Sequence, residues 1–254
     1  MKTLLLILTA LTLSLTAGAV NPDSWQRISQ AVFPGVVIEE DASTVTLTAA
    51  SRAEDAAIVP ISIHAMFPQS EQRYITDIWL IIDQNPSPVA AHFSFTGESG
   101  QADIETRVRI NEYTLIRAVA RVNDGSYHQA VRFIKASGGC SAPVSRAAAK
   151  GIGSIKLYEL SARPGRPALL QAQIRHPNDS GLAMDQLTRD YAPAHYVRSM
   201  TVSHGGVTVV TADLDISISE NPEFEFYVAP SARSDLSVTF TDNTDESWSA
   251  QYKQ

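Results

Sequence analysis

The chain has 254 residues, a formal net charge of −7 and a single cysteine. An acidic protein is a poor match for nucleic acid or anionic membrane surfaces, and one cysteine excludes an internal disulfide. With 44% hydrophobic and 19% charged residues, there is enough chain and enough apolar surface for two ordinary domains.

Residues 1–19 read as a secretory signal. Lys2 is the charged start, Leu4 to Leu15 form an apolar run broken by Thr and Ser, and Ala17-Gly-Ala19 supplies small residues at the cleavage positions. The run is too short for a comfortable membrane span, and nothing later in the sequence is longer. The mature protein is therefore expected to begin near Val20, to be periplasmic and to lack a membrane span.

Asn21-Pro-Asp-Ser24 predicts a short N-terminal helix capped by Asp23 or Ser24, with Trp25, Ile28, Val32 and Phe33 on one face and Pro34-Gly35 as the stop. From Val36 the hydrophobic period becomes two. Segments 45–48, 58–64, 74–82, 89–95, 104–110 and 114–122 predict strands, and Asn123-Asp-Gly125 turns the chain into another over 127–135. About seven short strands with regular turns predict an immunoglobulin-like sandwich.

The last strand runs into Lys135-Ala-Ser-Gly-Gly-Cys-Ser-Ala-Pro143, which holds the lone cysteine. Gly138 and Gly139 free the backbone and Pro143 bars regular continuation, so Cys140 is expected on a mobile arm that presents its thiol. Charged residues from Gly125 to Tyr158 are all basic, among them Arg132, Lys135, Arg146 and Lys150. Lys135 and Arg146 are the candidates for favouring a thiolate or an anionic adduct, since nearby cations lower a thiol's pKa. The competing reading is a small buried hydrophobe in a linker, because free cysteine is among the most buried residue types.

Residues 138–160 read as cysteine arm and linker, with Arg-Ala-Ala-Ala-Lys150 followed by the breaker Gly151-Ile-Gly153. Beyond them, segments 167–175, 195–203, 207–211, 213–218, 223–228, 235–240 and 247–252 alternate as strands, giving a second sandwich over 161–254 after the first over 20–137. The fold class expected is all-β: two immunoglobulin-like β-sandwich domains in one chain, with a short N-terminal helix.

Six histidines, His64, His92, His128, His176, His195 and His204, show no two-ligand helical spacing, and no second cysteine completes a thiolate site. No metal site and no cofactor are expected from this spacing, with copper shared between Cys140 and a distant histidine as the alternative. His176 and Asn221, each before a proline, read as turn-formers. A cysteine–histidine hydrolase would need its nucleophile held still, which a Gly-Gly arm serves badly.

The order of several short motifs resembles the SoxY and SoxZ sulfur carriers fused into one chain. The first half carries Ala53-Glu-Asp-Ala-Ala-Ile-Val-Pro60, Asp83-Gln-Asn-Pro-Ser-Pro88, the strand from Arg109 to Val122, and Lys135-Ala-Ser-Gly-Gly-Cys140. The second carries Ile174-Arg-His-Pro177 with Ser180-Gly181, Pro193-Ala-His-Tyr196, Ser219-Glu-Asn-Pro222 and Thr241-Asp-Asn243. The resemblance implies a non-enzymatic carrier with Cys140 as the covalent attachment site for sulfur intermediates in the oxidation of thiosulfate or other reduced sulfur compounds. It also implies haem, manganese and hydrolase partners, or a quinoprotein dehydrogenase system. The runner-up reading is an exported accessory protein of such a dehydrogenase, its cysteine a tether or redox sensor, and an exposed thiol would also allow a disulfide-linked homodimer. Two departures stand out: Cys140 is internal where the SoxY arm ends the chain, and Asn178 follows His-Pro where SoxZ often has Met.

Overall fold

The computed structural model describes residues 22–145, 150–184, 187–230 and 235–252. The expected signal over 1–19 and the candidate Arg146 lie outside them. After helix α1 (Pro22–Val32), the first half contributes β1 (Ile38–Glu40), β2 (Val45–Ala49), β3 (Val59–Ala65), β4 (Ile75–Ile82), β5 (Val89–Phe95), β6 (Ile104–Val108), β7 (Thr114–Val122) and β8 (Tyr127–Ile134). The second contributes β9 (Ile155–Ser161), β10 (Ala168–Ile174), β11 (Val197–His204), β12 (Val207–Leu214), β13 (Glu223–Val228), β14 (Leu236–Asp242) and β15 (Ser247–Gln251). The all-β class with one short helix is as expected.

The strands form two layers. One sheet has nine strands in the order β1-β8-β7-β4-β5-β12-β11-β14-β15, and the other has six in the order β2-β3-β6-β13-β10-β9. Each half is thus a two-sheet sandwich, and the halves join edge to edge: β5 pairs with β12 and β6 with β13, both antiparallel. Alternation decides the faces. In β14 the residues alternate buried and half-buried from Leu236 to Asp242, and β10 does the same from Ala168 to Ile174. The inward residues of both halves merge into one apolar cluster, with Phe93 of the first half edge-on to Phe224 of the second, ring centroids 6.1 Å apart.

Helix α1 covers the outer face of the nine-stranded sheet. Ile28 and, just past the helix, Phe33 pack with Ile81 and Val119, and Phe33 stands edge-on to Trp79 at 5.1 Å. Burying such a side chain contributes about 1.5–3 kcal/mol, which holds a helix too short to persist alone. The helix starts at Pro22, so the expected cap at Asp23 or Ser24 is displaced; Ser24 Oγ instead donates to Gln84 Oε1 at 3.2 Å.

Two more expectations need correction. Residues 155–160, read as the end of a linker, form most of the edge strand β9, whose alternate Ile155, Leu157 and Glu159 sit half-buried. Segments 207–211 and 213–218 are not two strands, since β12 runs unbroken from Val207 to Leu214 and pairs with both β5 and β11.

The seam carries one unfavourable pair. Glu105 of β6 lies directly opposite Glu225 of β13, and burial first, then Glu105 and Glu223, push the Glu225 carboxyl up despite a hydrogen bond from Gln171. A carboxylate pKa raised by folding removes stability once the group ionises. Glu225→Gln should therefore raise the melting temperature at pH 7 by about 1–3 °C and leave it unchanged near pH 3. Calorimetry at the two pH values checks this.

Candidate functional site

The Cys140 segment is a folded turn. A 3-10 turn spans Gly139–Ser141, and Cys140 is fully buried while Ser141 is exposed. Its backbone is held on both sides. Gly138 N–H donates to Asn111 O at 2.7 Å and Gly139 N–H to Ile110 O at 2.9 Å. Arg109 Nη1 donates to Gly139 O at 3.3 Å, and Ser180 Oγ, from the second half, donates to Cys140 O.

This corrects the expectation of a mobile arm presenting its thiol. The two glycines have different tasks. Gly138 sits in the left-handed region at φ 81° with open space around it, a conformation that favours glycine. Gly139 is there for close approach: a Cβ would stand 1.9 Å from Ala56 O and 2.8 Å from Ile110 N. A disulfide-linked dimer through Cys140 requires the turn to open first.

The cation that acts on the thiol is also not the one expected. Lys135 is exposed, its main chain paired with Ser51 and Ala53, and Arg109 is the residue whose charge reaches Cys140. Arg109 is 1% exposed and makes no ion pair among the described residues. Its guanidinium bridges the halves, donating to Gly139 O and, at 3.2 Å, to Asn178 O, while Nε has no hydrogen-bond partner. Burial lowers the Arg109 pKa, with Glu220, Cys140 and Asp179 pulling it back. Asn85 fixes this segment by donating to Arg109 O at 2.7 Å and to Ser217 Oγ at 2.9 Å, and by accepting from Asn111 N–H.

Burial wins over Arg109 at the thiol, which is pushed from 9.0 up to about 11. The stowed cysteine is therefore neutral at physiological pH and protected from oxidation. Since folding raises this pKa, the closed turn keeps its full stability below about pH 9 and loses it progressively as pH rises to about 11. Alkylation of the folded chain should keep rising past pH 9 toward about 11, whereas the urea-unfolded chain should level off near 9. A folded-chain profile that levels off with the unfolded one would contradict the burial assignment.

The loop over 176–181 seats this turn from the second half, and it brings together residues that sequence spacing kept apart. His176, after β10, is fully buried; His195, just before β11, is one-third exposed; Asp242 closes β14. Their side-chain nitrogens and carboxylate oxygen all lie within 4.8 Å of one another. The reading that found no metal-like group among the histidines missed this cluster, because its members come from three separate segments. Asn221 turns the chain, but not as the extended corner expected before a proline: its φ of 49° is left-handed, and its N–H donates to His176 O at 2.8 Å. Beside Asn221 opens a cleft of about 450 Å³ lined by Lys150, Lys156 and Arg175, a basic patch on an acidic chain.

Two family models match the chain: Sulfur oxidation protein SoxY over residues 29–140 and Sulphur oxidation protein SoxZ over residues 155–253. No curated protein matches. Among solved structures, the sulfur carrier protein SoxY from Chlorobium limicola f thiosulfatophilum is 22% identical, with 45% of this chain and 92% of that chain covered and a TM-score of 0.37. Two variant forms of a superoxide reductase (neelaredoxin) from Ignicoccus hospitalis are 14% and 15% identical. They cover 36% and 43% of this chain and 78% and 86% of their own, each with a TM-score of 0.33.

Proposed function

The chain belongs to the SoxY and SoxZ sulfur-oxidation carrier families, joined here in one polypeptide, and from that premise we propose that Cys140 is the covalent attachment site of a periplasmic carrier. The observation that carries this reading is the position of the only cysteine: it is the last residue of the SoxY match, in a turn clasped by the SoxZ half. Loading with thiosulfate joins Cys140 Sγ to the sulfane sulfur, releasing the thiol proton and two electrons. Those two electrons need an acceptor, and a haem partner is the one that the family resemblance implies. Manganese and hydrolase partners would then act on the bound group.

A carrier of this form works in two states. Closed, the thiol is neutral and stowed; open, it regains an ordinary thiol pKa and meets its partners. The barrier between them is short-range: the anchors at Ile110 O, Arg109 and Ser180 must be released, while Gly138 supplies a hinge free of steric contact.

Intact mass spectrometry tests the reading. Protein purified anaerobically from cells fed thiosulfate should carry a reductant-labile, thiosulfate- or sulfur-sized adduct on Cys140, absent from Cys140→Ser, and the variant should not support thiosulfate oxidation. The stowed thiol also suits the second reading, an accessory protein of a quinoprotein dehydrogenase whose cysteine is a tether or sensor. An unmodified thiol under these conditions, with full pathway activity in Cys140→Ser, would favour that reading and sink the carrier.

A further inference from the structure

We propose that His176, His195 and Asp242 form a binding site for one divalent transition-metal ion of the zinc class, at the end of the second sandwich and behind the loop that seats the cysteine turn. The site is built, not incidental. Asp242 is fully buried, and its two oxygens are divided between tasks. Oδ1 accepts from Thr244 N–H at 2.8 Å, Thr244 Oγ1 at 2.8 Å and Glu246 N–H at 3.0 Å, which fixes the carboxylate plane. Oδ2 is left for the two imidazoles, 2.8 Å from His195 Nε2 and 3.6 Å from His176 Nε2.

His176 supplies the second observation. Its side chain is fully buried, and its Nε2 has no hydrogen-bond partner while pointing at the Asp242 carboxylate. An unpaired polar atom in such a place costs about 1–3 kcal/mol, a penalty that a bound cation removes. The opposite nitrogen is held by Asn178. Nδ1 faces Asn178 N–H, a donor at 3.1 Å, and Asn178 Oδ1 at 2.9 Å, the latter fixed as an acceptor because Val197 N–H donates to it at 3.0 Å and Asn178 Nδ2 donates to Ile218 O. Asn178 thus offers Nδ1 both a donor and an acceptor, and a cation at Nε2 selects the tautomer with hydrogen on Nδ1, which gives that hydrogen to Asn178 Oδ1 and releases the Asn178 N–H. A metal-bound histidine is commonly oriented in this way by its second nitrogen.

The distances fit. Ligand atoms about 2.0–2.2 Å from a tetrahedral ion stand roughly 3.3–3.5 Å apart. The 3.6 Å His176–Asp242 spacing needs to shorten by about a tenth or two of an ångström, and the 2.8 Å His195–Asp242 contact to lengthen by about half an ångström, as two metal bonds replace one hydrogen bond. Two neutral imidazoles and one carboxylate select a borderline divalent ion over calcium or magnesium, which prefer all-oxygen sites. His195, the one partly exposed member, marks the side from which the ion enters and on which a fourth ligand, water or a small anion, would sit.

The test uses the full chain in a Cys140→Ser background, so that the thiol cannot bind metal, after chelator treatment. Titration with Zn²⁺ by calorimetry should give one ion per chain, and His195→Ala should weaken binding at least about a hundredfold. Side-chain ¹⁵N spectra of the Cys140→Ser protein report without a ligand mutation: zinc should move the Nε2 resonances of two histidines and leave the other four in place. No stoichiometric binding, unchanged affinity in a folded His195→Ala, or zinc shifts at other histidines would each overturn the proposal.

Discussion

Replacing Gly139 with alanine should unseat the cysteine turn and make Cys140 reactive at neutral pH. The added methyl cannot be accommodated by a side-chain adjustment, because what it meets at 1.9 Å and 2.8 Å is main chain, Ala56 O and Ile110 N, each already hydrogen-bonded in the native arrangement. The turn must move out, breaking the anchors to Ile110 O, Arg109 and Ser180. A penalty of about 2–4 kcal/mol on the closed state alone translates into a roughly 30- to 1,000-fold faster alkylation at pH 7.5. Gly138→Ala is the internal comparison. Its methyl meets nothing, so only the left-handed φ of 81° is penalised, by about 1 kcal/mol, and the rate should rise less than about tenfold. Equal rates in the two variants, or a Gly139→Ala thiol as slow as the native one in a folded protein, would refute the close-packing role.

Asp83→Ala should be the most damaging single change to the first sandwich. Arg117 is 7% exposed, and its Nε and Nη2 reach both oxygens of Asp83 at 2.9–3.1 Å while Nη1 donates to Gln129 and the guanidinium lies 4.2 Å from the centre of the Trp25 ring. Removing the carboxylate leaves a buried cation without its counter-charge, which costs about 3–5 kcal/mol. For a chain of this size that lowers the melting temperature by roughly 6–20 °C. The double variant Asp83→Leu with Arg117→Met should recover most of the loss, because a buried ion pair replaced whole by apolar side chains is often nearly neutral. A single variant that melts within about 2 °C of the native chain would show that the pair is not the buttress described.

Much of the architecture is legible in the sequence because local signals agree there. Strands 89–95, 114–122 and 223–228 coincide with the observed bounds, since each is a run rich in apolar and β-branched or aromatic residues between turn residues. β9 is harder to see: as an edge strand its burial is slight, and Lys156 and Glu159 dilute the apolar alternation after a glycine breaker. The site fails for a different reason. Two glycines signal either freedom or close approach, and choosing between them needs Ala56 O, a group far back in the chain. Arg109 alternates with Arg107 like any surface pair, and only the arrival of Asn178 and Gly139 buries it. His176, His195 and Asp242 each sit in a motif visible in the sequence, but their convergence depends on β10, β11 and β14 being laid side by side in two layers.

The edge-to-edge seam has a consequence for the order of folding. Ala91–Phe95 hydrogen-bond to Val210–Leu214, and Ile104–Thr106 to Phe224–Phe226, so the first half of the chain ends with two open strand edges that only the last third can close. An unpaired edge is a template for the wrong neighbour, and contacts this distant in sequence form slowly. A newly made chain therefore passes through an interval in which its first sandwich can add strands from another copy. The covalent link between the halves shortens that interval by keeping the correct edges close at any dilution, an advantage that two separate polypeptides meeting in solution would have to obtain from abundance.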